Sequence, residues 1–435
     1  MKRILIPLFL LLCLACCRTA PFVAPTLPQN PDYVADMEGN MDRAAGLFHS
    51  YEGVEGPQTP APCGYKPFYV SHYGRHGSRR QIGSGGTEAY RILNEAAQAD
   101  NLTPEGEALF QDVAKLYQPT VGMDGELTYR GGQEHQGIAK RMYKRFKPVF
   151  SKGGKVHCQS SMIRRCLVSM SNFTGALWSQ APALEMDFIT GEPTQEIIMH
   201  DYYDVPEEES APVEHVLDSL FLALVDTDRL TDAYFKDASA INGPRFAQHL
   251  FYIAADAQDL LLEAGPVDVF GHIPTEDLMG LSQFFNERYY VGMANSVEGS
   301  AYIRWEAKWL LEDIVTRADQ AIAQGDRVAD LRFGHDSAIM PLACLIGLDP
   351  IARSFPAGEA WKNGWYMWKY LCMGSNLQMG FYKNAKGNVL VKFLYNEQEV
   401  LIPALETSAP APYYAWEDLR PYLLALCTDK SLIIP

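Results

Sequence analysis

The stretch Phe68-Tyr69-Val70-Ser71-His72-Tyr73-Gly74-Arg75-His76-Gly77-Ser78-Arg79-Arg80 constrains this chain more than any other. It opens as a short apolar run of strand type, Phe68 to Val70. Gly74 then breaks the run into a loop holding Arg75, His76 and Arg79. Glycine lets a backbone turn tightly and approach a ligand closely. Arginine offers a planar fork of donors that fits phosphate oxygens, and imidazole can act as a nucleophile. A histidine between two such arginines sits where a phosphate would be held. A surface loop with scattered charges would read the same way, so the rest of the chain must supply partners.

A second stretch repeats the pattern. Val328 to Phe333 is strand-like and runs into Gly334-His335-Asp336-Ser337. In parallel α/β sheets ligands bind beyond the carboxyl ends of strands, so two histidines leaving two strands this way can meet in one cleft. An acid beside the second histidine can donate a proton to a departing oxygen. A third strand-like run, Val156 to Ser161, leads to Arg164 and Arg165 at the start of a helix. Helix N-terminal amides with a guanidinium make a good phosphate site. Spacing leaves both arginines in contention.

These elements together resemble the histidine acid phosphatase family. Arg75-His76-Gly77-Ser78-Arg79 matches its RHGxR signature, Leu127 to His135 its LTxxGxxEH element, and His335-Asp336 its HD element. The resemblance implies that His76 is phosphorylated and that Asp336 protonates the leaving oxygen. It also implies that Arg75, Arg79, Arg165 and His335 hold the phosphate. Arg165 is chosen over Arg164 because it lies eight residues before Phe173-Thr174-Gly175, as in the family. No metal or cofactor is implied, since guanidinium groups supply the positive charge. The form of residues 394–403 looks like the inositol-polyphosphate phosphatases and phytases, which makes inositol polyphosphates such as phytate the first substrate class. That branch usually carries His-Ala-Glu where this chain has His335-Asp336-Ser337. A broad acid or sugar-phosphate phosphatase is therefore the alternative, and a phospho-ligand-binding lipoprotein without turnover is the non-enzymatic one.

At 435 residues and 47% hydrophobic content, the chain can bury a sizeable core. The expected fold is α/β, a mostly parallel sheet flanked by helices, with residues 40–190 and 326–435 as the core and 191–325 as an inserted, mostly helical cap. Within the cap, helices are expected over 213–224, 246–262 and 302–322, the last ending at Gly325. Glu207-Glu208-Glu209 reads as a solvated loop. Before the cap, Thr103-Pro104 reads as a helix start, with Leu109, Val113 and Leu116 facing the core.

Residues 1–17 have the charged start and short apolar run of a signal peptide. Export is expected, with a membrane tether through a lipidated Cys16 or Cys17, and 18–39 as a linker. Six of the nine cysteines lie beyond that segment, and spacing alone pairs none of them. A net charge of −16 argues against a nucleic-acid partner, and a monomer is expected. Yet Arg130 to Arg165 holds ten Lys or Arg against the single acid Glu134. That excess is either a solvated face or a positive rim that steers a polyanionic substrate. His157, His200, His215, His249 and His272 are read as structural or exposed.

Overall fold

The computed structural model describes residues 22–433 except 30, 54, 55, 57, 200–206 and 300. The signal segment, Cys16, Cys17 and His200 lie outside the described residues. Eight strands form one sheet, ordered β3-β2-β4-β1-β5-β6-β7, with β8 paired to β6. They are β1 Lys66–Arg75, β2 Gly154–Ser160, β3 Leu184–Ile189, β4 Arg327–Gly334, β5 Asn376–Lys383, β6 Val389–Tyr395, β7 Gln398–Val400 and β8 Tyr413–Ala415. The α/β class is as expected and the sheet is mixed. Strands β3, β2, β4 and β1 run parallel, while β5 to β8 continue the sheet antiparallel.

Side chains alternate across each strand, and here both faces are covered. On β1, Tyr69 and Tyr73 enter one apolar core and Val70 enters the other. The helices that matter to the site are α1 Glu88–Gln98, α2 Pro104–Tyr117, α3 Tyr129–Arg145, α4 Arg164–Gln180, α5 Glu207–Leu224, α6 Thr227–Tyr234, α7 Gly243–Ala255, α8 Thr275–Met293, α9 Lys308–Gln324, α10 Asp336–Ile346 and α11 Trp416–Thr428. Helices α3 and α4 pack on each other and α4 against β2 and β4, while α9, α10 and α11 touch one another on the opposite core.

Local signals explain several of these elements. Thr103 caps α2 by accepting from Gly106 N, Pro104 follows it, and Leu109, Val113 and Leu116 are fully buried. Thr128 caps α3 in the same way through Gly131 N. Asn396 and Glu397 take positive φ between β6 and β7, which gives the tight turn of that hairpin.

Other segments differ from expectation. The first strand does not break at Gly74 but continues through Arg75, because Arg75 stays in register with Gly334 of β4. Residues Tyr33–Gly39 are a helix rather than linker, capped by Asp32 and held by buried Tyr33, whose hydroxyl bonds Ser282 Oγ. Glu207-Glu208-Glu209 opens α5 instead of forming a loop.

The helix expected over 246–262 ends at Ala255, and the one over 302–322 is broken at Ala307. That break leaves Trp309 exposed while Ile314 is buried, so the two do not share a face. Helix α8 was not legible at all. It is buried on several sides, from Leu278 and Met279 through Phe284 to Val291, so it carries little amphipathic pattern. The helical layer is also not confined to 191–325. Helices α1 and α2 pack on α7 and α6, and α9 packs on β1 and β4.

Candidate active site

Adjacent parallel strands bring the two histidines together. Arg75 pairs with Gly334, so His76 and His335 leave β1 and β4 side by side, with His76 N bonded to Gly334 O at 2.9 Å. Their rings lie 5.6 Å apart, near perpendicular. On the other flank of β4, Ser161 leaves β2, and its Oγ lies 2.9 Å from His335 Nε2. The site therefore stands at the carboxyl ends of three parallel strands, where order and sequence direction part.

His76 is buried, and its Nδ1 lies 2.9 Å from Gly77 O. Since a carbonyl can only accept, Nδ1 carries the proton and Nε2 is left with its lone pair. Burial, then the positive charges of Arg165, Arg75 and Arg79, hold His76 well below the usual histidine pKa. The same causes, burial first and then Arg165, bring His335 to about 3, despite the opposing charge of Asp336. Both imidazoles are thus neutral.

Three arginines surround this pair. Arg75 is fully buried and donates through Nη1 to Leu47 O and Leu371 O at 2.7 and 2.8 Å. Its Nη2 lies 2.7 Å from Asp336 Oδ2. Arg79 donates from Nη1 to Arg80 O and lies over the Phe48 ring at 5.5 Å. Arg165, in the first turn of α4, has Nη2 3.4 Å from His335 Nδ1. The Nε atoms of all three are buried with no hydrogen-bond partner among the described residues. Three orphaned donors around one imidazole are a cradle for an anion. Arg164 is excluded, because its side chain is 77% exposed and paired with Glu126.

Asp336 opens α10 beside the cradle. Burial pushes its carboxyl pKa up, but the charges of Arg75 and Arg79 outweigh burial and hold it below the usual value. It is therefore ionised in the free protein, where it occupies Arg75 as an incoming anion would.

The loop is held from behind by groups whose part the sequence did not reveal. Buried Glu134 accepts from Ser78 N, Ser78 Oγ and Tyr51 N at 2.7, 2.7 and 2.9 Å. This explains the acid of the Leu127–His135 element. The loop also touches α3 backbone to backbone. A Cβ on Gly77 would meet Gly131 O at 2.5 Å, and one on Gly131 would meet Ser78 O at 2.2 Å, so both must be glycine.

Asp256 and Asp259 lie in the break after α7. Asp256 accepts from Gln81 N and Nε2, and Asp259 from Ser50 Oγ. Burial raises Asp256 to about 7, against the pull of Arg79, and raises Asp259 well above its usual value. Only the broken helix could have signalled them.

Part of the basic span is paired within the fold. Arg141 and Arg145 both reach the buried Glu397 of the β6–β7 turn, at 2.7 and 3.3 Å. Lys155 pairs with Asp326 where β2 and β4 begin, at the end of the sheet away from the histidines. Of the span, Arg165 meets His335.

The remaining expected residues fall elsewhere. His157 bonds Asp187 and Gln159, and His272 bonds Asp112. His215 is exposed and His249 lies beside Tyr252. Cys63, Cys158, Cys166, Cys344, Cys372 and Cys427 are all unpaired. Among the described residues no metal-ligand cluster is present, and no helix is long and apolar enough to cross a membrane.

The fold is shared with several solved structures. In particular, the chain resembles the multiple inositol polyphosphate phosphatase of Bifidobacterium longum in complex with inositol hexasulfate. That match has a TM-score of 0.72 and 19% identity, over 88% of this chain and 97% of that one. The phytase from D. castellii follows at TM-score 0.67 and 15% identity, over 90% and 86% of the two chains. The apo form of Hafnia alvei phytase gives 0.53 and 14%, over 84% and 98%. At such identities the likeness is one of fold. No family model and no curated protein matches the chain.

Proposed function

We propose that this chain is a phosphomonoester hydrolase that works through a phosphohistidine at His76. One observation carries the reading. A neutral imidazole with its Nδ1 committed to Gly77 O faces three arginines with orphaned Nε–H groups, beside a carboxyl held on one of them.

The chemistry follows from that placement. The ester phosphate takes the cradle of Arg75, Arg79 and Arg165, with His335 beside it, and their charge offsets that on its equatorial oxygens. His76 Nε2 gives its lone pair to phosphorus as the bond from phosphorus to the ester oxygen breaks. Asp336 gives that oxygen its proton. Water then attacks the phosphorus, losing a proton to Asp336, and the P–N bond breaks to release inorganic phosphate and restore His76.

The proton on Asp336 must arrive with substrate. Once the phosphate has taken over Arg75, the charge that kept the carboxyl ionised is neutralised, and its pKa rises.

Inositol polyphosphates such as phytate are the proposed first substrate class. The fold shared with an inositol polyphosphate phosphatase and with phytases supports this. A second reading, a broad acid or sugar-phosphate phosphatase, is supported by the pairing of Arg141 and Arg145 with Glu397, which draws part of that span's charge into the fold. Export and a lipid tether at Cys16 or Cys17 are proposed from the leader pattern alone. The test is phosphate release from phytate, glucose 6-phosphate and glycerol 2-phosphate side by side. Binding of phosphate with no release from any ester would leave a phospho-ligand-binding protein instead.

A further inference from the structure

The side of the cleft that faces Arg79 and Asp336 is aromatic. Helix α8 packs on the short helix Met41–Phe48 and on α10, which begins at Asp336. Phe48, which lies under Arg79, meets the rings of Tyr252 on α7 and Tyr289 on α8 edge-on, at 5.7 and 6.1 Å. Tyr289 also stacks on Phe285 at 6.3 Å. The hydroxyls of Tyr252 and Tyr289 have no hydrogen-bond partner among the described residues, and both side chains are only half-buried. Tyr290, next along the helix, is the contrast. It is fully buried, and its hydroxyl is committed to Arg353 O and Phe355 N.

A free phenol on an open wall has a ring to offer to an apolar face and an oxygen to offer to a polar substituent. Ligand pockets are built this way, mostly from apolar and aromatic side chains with a few placed polar groups. A cyclic polyol fits that pair of contacts, because its ring presents C–H groups on its faces and oxygens around its edge. An open three-carbon alcohol has no such face.

We propose that Tyr289, backed by Phe48 and flanked by Tyr252, is the recognition wall for the alcohol part of the phosphoester, and that it selects cyclic polyol phosphates over acyclic ones. The proposal rests on the phosphatase reading for where the phosphate lies. The phosphate sits on the arginines, its ester oxygen points toward Asp336, and the ring beyond that oxygen reaches the wall. Burial, with Tyr252 beside it and Asp336 nearby, pushes the Tyr289 phenol well above its usual pKa, so it stays neutral and can donate.

The test compares Tyr289→Phe, Tyr289→Ala and Tyr252→Phe with the wild-type full chain. Two calorimetric titrations, with inositol hexasulfate and with inorganic phosphate, need no turnover. Tyr289→Ala should weaken the cyclic ligand roughly tenfold or more, and Tyr289→Phe, which keeps the ring, by a few-fold. Phosphate affinity should stay within about twofold in both, since the cradle is untouched. In steady state, kcat/KM for phytate should fall by the same factors relative to glycerol 2-phosphate, mainly through KM. Equal weakening of both ligands would make the wall merely structural and overturn the proposal. So would an unchanged hexasulfate affinity in both Tyr289 variants. If Tyr289→Ala does not fold, wild-type hexasulfate affinity in Tyr289→Phe and Tyr252→Phe together overturns it. Wild-type chain that binds both ligands but releases no phosphate would sink the phosphatase reading and leave the wall to be judged by the titrations.

Discussion

Replacing Asp336 by Asn separates two effects that the geometry assigns to one carboxylate. It lies 2.7 Å from Arg75 Nη2 with its side chain 18% exposed, and Arg75 holds it ionised against the cost of burial. The first effect is proton donation. An inositol or sugar alkoxide is a poor leaving group and needs a proton as the bond breaks, whereas nitrophenolate leaves unaided. Asn keeps the size of the side chain but has no carboxylic proton. Turnover of phytate or glucose 6-phosphate should drop about 10²–10⁴-fold, and that of p-nitrophenyl phosphate less than about tenfold.

The second effect is competition for Arg75. A unit negative charge about 5 Å from a bound phosphate, at an effective dielectric near 20, opposes binding by about 3 kcal/mol per phosphate charge. Partial exposure reduces this, so removing the charge should tighten inorganic phosphate about 10–100-fold. The assay is kcat and KM for the two ester types, with phosphate inhibition measured alongside. A uniform loss on both esters with unchanged phosphate inhibition would refute the reasoning. Asp336 would then only orient His335 or Arg75, and the donor would lie elsewhere.

Other expectations follow from single contacts. His76→Ala should abolish steady-state turnover while phosphate-ester binding stays measurable by calorimetry, because the arginines are separate from the nucleophile. Gly77→Ala places a Cβ 2.5 Å from Gly131 O, so the loop must move. A loss of about 10²-fold in kcat/KM with a lowered melting temperature is expected, and wild-type kinetics would show that the contact gives freely. Exchanging both Arg141 and Arg145 for Gln strands the fully buried Glu397 and should cost about 3–5 kcal/mol in urea unfolding. The ratio of phytate to monophosphate kcat/KM should not change, and a fall in that ratio would restore the steering role. His72 is buried between Phe173 and Phe333 with both ring nitrogens unpartnered, and burial lowers its pKa to about 3. Above pH 6.5 neither state is protonated there. Below it the unfolded chain binds a proton that the folded one refuses, so stability falls as pH drops toward 3, by about 2 kcal/mol at pH 5. In His72→Phe the loss between pH 7 and pH 5, read from urea curves at each pH, should be smaller by that amount, and parallel losses would rule the idea out.

The chemistry was legible where it was local. Arg75-His76-Gly77-Ser78-Arg79 and His335-Asp336 carry the proposed nucleophile, cradle and acid within a few residues of a strand end, and strand ends can be read from apolar runs. Thr103-Pro104 announced a helix start, because caps depend on the residues at the spot. What lay between distant segments was not legible. Arg164 and Arg165 are neighbours, but successive helical positions point about 100° apart, and only the packing of α4 decides that Arg165 meets His335 while Arg164 meets Glu126. The charge of the basic span was countable, yet Glu397 is some 250 residues away, so the sum could not say that Arg141 and Arg145 share it as a partner. Helix α8, buried on several sides, had no polar face to mark it, and with it the wall around Tyr289 stayed hidden. Sequence determined which groups could do chemistry, because local geometry follows from local residues. Tertiary structure decided which of them meet, because burial and pairing depend on contacts between segments that the chain itself does not place side by side.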